Sequence, residues 1–157
     1  MPSQNKKLDV FLNNLRLNFE LINSSYDAVD SKANYLIGFE IALFIAFYSI
    51  PNDFGNSIKY YEFILATFFL VFSLILLIIV IWPKEYKTSS VGLKKIKAYL
   101  KLDEKEYLKQ IIVDLDMAIE VNKKKLFTKT KFYKFAIVFL LLAIIIYLLS
   151  KSGRFYV

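Results

Sequence analysis

The sequence predicts an all-α membrane protein with three transmembrane helices and with N-terminal and central cytoplasmic helical extensions. The first observation is a hydrophobic content of 57% over 157 residues. The second is the presence of three apolar runs, at residues 35–50, 63–82 and 132–150. The third is an uneven distribution of lysine between these runs. Because we expect the segments outside the runs to form helical extensions and not an independent ligand-binding domain, we treat residues 1–157 as a single membrane module.

The N-terminal extension, residues 1–34, carries apolar residues at alternating spacings of four and three. This 3.5-residue repeat is typical of the seam of a coiled coil or of a tightly packed helical hairpin. Such a seam can pack against a second copy of the chain or within the same chain, and both interpretations stay open at this point. The seam residues are Leu8, Leu12, Leu15, Phe19, Ile22, Tyr26, Val29 and Ala33.

The first apolar run, residues 35–50, has 16 residues and contains Glu40. If the helix is unbroken, the seam spacing continues into this run and places Glu40 on the packed face. A charged side chain at the bilayer centre costs on the order of 3 kcal/mol on insertion scales, so Glu40 is a candidate for a helix contact or a pore lining. The alternative is tolerance near the interface, because Glu40 lies only about 8 Å beyond Tyr35 by helical rise.

Three polar residues precede this run. Asp30 and Asn34 are four positions apart and share a helix face, whereas Lys32 does not share a face with Asp30. They form either an interfacial collar that meets headgroups and water, or a polar site between helices that senses a ligand or locks a resting state. The second interpretation makes all three residues helix-contact or pore candidates beside Glu40.

The second and third runs are the strongest span candidates. The second has 20 residues without a charge. At about 1.5 Å per residue, a helix of this length reaches across a hydrocarbon core of about 30 Å. The third run carries only Lys134, whose ammonium can reach the headgroups from the end of the helix.

The central extension, residues 84–131, is predicted to be helical. Ser89 or Ser90 can cap a short helix. Asp103 followed by Glu106 resembles a capping box and predicts that a second helix begins there. Nothing interrupts the helical pattern after that point, so we expect this second helix to continue into the third run.

Lysine placement predicts the topology. Lys+Arg 21 against Asp+Glu 14 give a net charge of +7, and fourteen lysines lie between Lys84 and Lys134 inclusive. The loop between the first two runs holds only Lys59. The positive-inside rule therefore predicts a multi-pass protein whose N-terminus and central extension are cytoplasmic. Because the sequence gives no sign of an aromatic-interleaved basic surface, the partners we expect are membrane lipids and not nucleic acid.

A lysine-rich junction ends the central extension. Lys123, Lys124 and Lys125 lie together, and Lys129 follows. They are expected either to anchor the topology at the headgroups or to pool their charge into a nest for an anionic ligand.

The sequence lacks the groups that most catalysis requires. There is no Cys and no His, which excludes disulfides, thiol nucleophiles, Cys/His zinc sites and imidazole acid–base chemistry. There is no Gly-rich phosphate loop and no serine elbow. We therefore predict no catalytic residue, no cofactor, no metal and no enzymatic activity.

The stretch AVDSKANYLIGFEIALF, residues 28–44, resembles the A-D-x-K-A-N-x-L membrane entry of the small transmembrane effectors of bacterial Pycsar anti-phage systems. The layout of spans and extensions is also similar to that family. In the motif, Val29 stands between the usual Ala and Asp. The matching positions are Asp30, Lys32, Ala33, Asn34 and Leu36.

This resemblance implies a function. It implies an effector in the bacterial inner membrane, activated downstream of a pyrimidine cyclase that makes cCMP or cUMP, which impairs the membrane of an infected cell. A cyclic nucleotide is then an implied partner, and rearrangement of a homo-oligomer is the expected mechanism. The alternative is a non-catalytic membrane scaffold or accessory subunit that anchors a soluble partner.

Overall fold

The computed structural model describes residues 4–49, 57–82, 99 and 102–152, and these residues are helical apart from short turns. The three helices are α1, Gln4–Ser49; α2, Ser57–Ile81; and α3, Glu104–Ser152. No strand occurs in these ranges. The prediction of an all-α fold is confirmed for this part of the chain.

Helix α3 continues into the third apolar run as expected, and α1 is likewise unbroken across the start of the first run. Helix α1 has 46 residues and passes Gly38 without a break. Helix α3 has 49 residues. At its start, a carboxylate oxygen of Asp103 accepts the backbone N–H of Glu106 at 2.7 Å, which confirms the predicted cap. The short helix predicted after Ser89 or Ser90 lies outside the described residues.

The first of two compact units comprises residues 1–27 and 84–127, and we call it the extension unit. In it, the N-terminal part of α1 packs against the N-terminal part of α3. The seam therefore finds its partner within the same chain, which is the second of the two interpretations given above. The buried core consists of Leu12, Leu15, Ile22, Tyr26, Leu115 and Ile119.

The second unit comprises residues 28–83 and 128–157, and we call it the span unit. It joins the C-terminal parts of α1 and α3 to α2. One cluster in it contains Phe47, Phe63, Ala66, Leu70, Leu140, Ala143 and Tyr147. The other contains Ala33, Leu76, Leu77, Val80 and Ala136.

Among the described residues, two helices and not the predicted three are long and apolar enough to cross a membrane: α2 over Lys59–Ile81 and α3 within Glu104–Lys151. Only 33% and 22% of their most apolar windows are buried, so most of this apolar surface faces outward. The described part of the first apolar run, residues 35–49, is not long and apolar enough by the same measure. A run of 16 residues rises about 24 Å, which is less than the hydrocarbon thickness, and it includes the carboxyl of Glu40.

Candidate functional site

Glu40 lies at a junction of three helices inside the span unit. Its side chain is 1% exposed, which is the position that the seam spacing predicted for it. On α2, the Ser73 hydroxyl oxygen lies 2.5 Å from a Glu40 carboxyl oxygen. The same hydroxyl lies 2.7 Å from the backbone carbonyl of Ala136 on α3. One buried hydroxyl therefore joins all three helices of the unit.

The protonation state of Glu40 follows from counting the hydrogens available to the three oxygens of Glu40, Ser73 and Ala136. Two short oxygen–oxygen contacts need two hydrogens, and Ser73 supplies one. The Ala136 carbonyl supplies none. Both contacts become hydrogen bonds when Glu40 is a neutral acid that donates to Ser73, while Ser73 donates to Ala136. An ionised Glu40 would leave one of the two contacts without a hydrogen.

The second carboxyl oxygen of Glu40 is also consistent with an uncharged side chain. It is buried and has no hydrogen-bond partner among the described residues. An unpaired carbonyl oxygen in a dry interior is far less costly than an unpaired charge. The neutral form therefore lowers the cost of burying Glu40 between the helices.

An apolar groove of about 230 Å³ lies beside Glu40 on the outside of α1 and α2. Apart from Glu40, every lining residue is apolar, so the groove accommodates hydrocarbon better than water. The described residues therefore offer no continuous polar path for water or ions along this groove. The lining residues are Glu40, Ile41, Phe44, Ile45, Leu70, Val71 and Leu74.

A second polar contact within the span unit joins α1 to α3. The Lys129 ammonium lies 2.5 Å from a carboxylate oxygen of Asp30. The Lys129 side chain is 2% exposed and that of Asp30 is 30% exposed. Removing one partner of a buried ion pair typically costs about 3–5 kcal/mol, because the other charge is left in a low-dielectric site.

The structure thus divides the four polar candidates of the membrane entry. It pairs Asp30 with Lys129 and Glu40 with Ser73. Lys32 and Asn34 are exposed. The sequence had placed Lys129 only in the lysine-rich junction. A seven-residue spacing along α3 would have identified Lys129 as a buried position, because the residues at this spacing are all buried. They are Leu115, Asn122, Lys129, Ala136, Ala143 and Ser150.

The lysine-rich junction is largely solvent-facing. Lys123 and Lys124 are exposed, and Lys125 is half-buried. The Lys124 ammonium lies 2.8 Å from the Glu120 carboxylate one turn earlier. This hydrogen bond holds the pKa of Glu120 below its usual value. An exposed pair of this kind contributes little to stability.

The extension unit has its own buried polar contacts. The Tyr26 hydroxyl donates to the backbone carbonyl of Asn122 at 3.3 Å, and both side chains are fully buried. The Tyr99 hydroxyl donates to the Asp114 carboxylate. The seam spacing predicted that Tyr26 is buried, but no sequence signal pointed to either partner.

Among the described helices, α2 and α3 are long and apolar enough to cross a membrane and keep most of that apolar surface facing outward, which suggests a helical membrane protein. The model of the Pycsar effector protein domain matches residues 14–152. The chain belongs to this family, which confirms the resemblance seen in residues 28–44. The membership supports a role as an effector of anti-phage defence at a membrane. Neither the curated proteins nor the solved structures provide a match.

Proposed function

We propose that this protein is a membrane-disrupting effector of anti-phage defence that acts as a homo-oligomer in the bacterial inner membrane. The family match over residues 14–152 is the observation that carries the proposal. The outward apolar faces of α2 and α3 support it, because such faces require lipid or other apolar cover. On this proposal the protein is multi-pass, with its N-terminus and central extension in the cytoplasm, and it has no enzymatic activity.

Residues 35–50 form the third span in this proposal. The described part of this segment, residues 35–49, packs against both other helices in the span unit, and its outer face is apolar, with Phe39, Ile41 and Ile45 exposed. The neutral state of Glu40 lowers the cost of placing this segment in lipid. Their limited length is compatible with local thinning of the bilayer or with partial exposure at one interface.

The Glu40–Ser73–Ala136 contact and the Asp30–Lys129 pair hold the resting span unit closed. Activation separates these helices. Polar groups that were satisfied by one another then face the bilayer interior, where each unsatisfied group attracts water and perturbs lipid. The trigger is a cyclic pyrimidine nucleotide, cCMP or cUMP, and whether it contacts this chain directly is part of the test.

The test is reconstitution of the full chain in anionic lipid vesicles loaded with a self-quenching dye. We expect dye release when cCMP or cUMP is added, and none with cAMP as the matched control. In cells, induction together with the nucleotide should dissipate the membrane potential. Glu40→Leu protein at equal abundance should release less dye. Retained dye and potential with the protein inserted would contradict the proposal, and a co-purifying soluble partner without leakage would favour a scaffold.

A further inference from the structure

The N-terminal part of α1 carries a second apolar stripe that the seam does not use. Val10, Leu17 and Leu21 are 56%, 58% and 64% exposed. Each is two positions from a seam residue, which is about 200° around a helix of 3.6 residues per turn. The stripe therefore lies opposite the face that packs against α3.

The stripe precedes the first apolar run in the sequence. Leu21 precedes Tyr35 by 14 positions, or about 21 Å of helical rise along α1. The stripe is thus well separated from the first apolar run. Large apolar side chains in this position are typical of a surface that contacts another protein.

The spacing of the stripe identifies what it contacts. Val10, Asn14, Leu17, Leu21 and Ser24 continue a spacing of 4-3-4-3, so they occupy the core positions of a two-stranded coiled coil. Asn14 falls at an a position. A single Asn at this position favours parallel, in-register pairing, because its amide hydrogen-bonds to the same amide of the partner. An apolar surface of another protein would leave that amide unpaired.

The flanking residues are compatible with self-pairing. In a parallel pair, each residue that precedes the core meets the residue five positions later in the partner helix. Asn13 then faces Asn18, and Glu20 faces Ser25, so these pairs bring no like charges together. Charged Arg16 lies about 120° from the centre of the stripe and does not interfere.

We propose that this outer stripe docks on the same stripe of a second copy, in parallel and in register, while the seam stays filled by α3. The inference rests on the proposed homo-oligomer and names its contact surface. Two copies inserted in one bilayer with the same topology are already parallel, and their confinement raises the effective concentration for pairing.

The test uses the absence of cysteine from the chain. Asn14→Cys and Leu17→Cys proteins in native membranes should form a disulfide-linked dimer under mild oxidation. Arg16→Cys is the matched control, exposed on the same helix but off the stripe, and it should stay mostly monomeric. Equal cross-linking at all three positions, or none at Asn14→Cys and Leu17→Cys, would overturn the proposal.

Further variants distinguish self-pairing from loss of folding and from contact of the stripe with lipid. Leu17→Asp should lower the mass of the detergent-solubilised particle while leaving helix content unchanged. Asn14→Val should broaden the distribution of oligomers, because the amide that fixes the register of the pair is removed. A polarity-sensitive dye on Leu17→Cys that enters lipid at a protein density too low for pairing would instead place the stripe on the bilayer. Dimers without dye release would contradict the proposed function alone, and dye release without dimers would contradict the stripe alone.

Discussion

The Lys129 ammonium and the Asp30 carboxylate form a contact with unequal burial: the lysine is enclosed and the aspartate reaches solvent. The cost of breaking the contact should therefore depend on which partner is removed. A charge left in the interior is more expensive than one left near water.

Asp30→Asn should lower stability by about 3–5 kcal/mol, because the buried Lys129 charge loses its carboxylate. Lys129→Met should cost clearly less, because the remaining Asp30 carboxylate is partly solvated. The measurement is thermal unfolding in detergent, with exposed Lys123→Met as the control. The double variant should recover much of the loss of Asp30→Asn. Equal costs for the two single variants would contradict the burial argument.

Ser73→Ala should lower the stability of the folded chain by about 1–3 kcal/mol, because it deprives both the Glu40 carboxyl and the Ala136 carbonyl of a buried partner. Glu40→Gln should cost less, since the amide can still donate to Ser73. Both can be measured by the same thermal unfolding. Exposed Ser25→Ala is the matched control and should leave the midpoint unchanged. A neutral result for Ser73→Ala would mean that the three-helix contact does not hold the unit.

The protonation of Glu40 can be observed directly. Infrared spectra of the protein in lipid at neutral pH should contain a carboxylic acid C=O band, because the two oxygen contacts of Ser73 need a proton on Glu40. The band should disappear in Glu40→Gln and persist in Glu20→Gln, where the removed carboxyl is exposed. A spectrum that shows only carboxylate bands would refute the hydrogen count.

Leu15→Ala and Leu17→Ala form a matched pair on opposite faces of α1. Leu15 is buried against α3 in the extension unit, so its truncation should cost about 2–5 kcal/mol. Leu17 is exposed in the single chain, so its truncation should change the stability of a monomer by no more than about 0.5 kcal/mol. Hydrogen exchange of α1 amides at low protein concentration distinguishes the two. Similar protection in both variants would mean that Leu15 is not in the core.

The central extension is predicted to be cytoplasmic, because fourteen lysines lie in and beside it. A cysteine at the exposed position Lys109 should not react with a membrane-impermeant maleimide in intact cells. Asp53→Cys, in the loop between the first two runs, should react. Reversal of this pattern would refute the topology.

The sequence predicted the buried face of α1 well and its partner poorly. The alternating spacing of four and three selected Leu12, Tyr26 and Glu40, and all three are buried. Spacing reports which side of a helix is covered, because that depends only on the residues of the helix itself. It carries no information on which helix provides the cover, since a second copy and α3 present the same kind of surface.

The partners of the polar residues were beyond the sequence for a different reason. Ser73 lies in a run so uniformly apolar that no periodic pattern marks the face on which its hydroxyl lies. Its role depends on which residues of α1 and α3 lie beside it, and the sequence does not give this. Lys129 was grouped with its neighbours by charge, although its position on the helix sets it apart. The composition identifies a lysine-rich segment. The burial of one of its lysines depends on a carboxylate that lies beside it only in the folded structure.

The shared hydroxyl of Ser73 also has a consequence for biogenesis. Glu40 is synthesised well before Ser73, and Ser73 well before Ala136, so the nascent first segment emerges from the ribosome with its carboxyl unsatisfied. Its transfer from the translocon into lipid should therefore wait for α2, and stay reversible until α3 has been made. In the proposed three-span topology, the order of synthesis thus keeps the first span dependent on the two stronger ones.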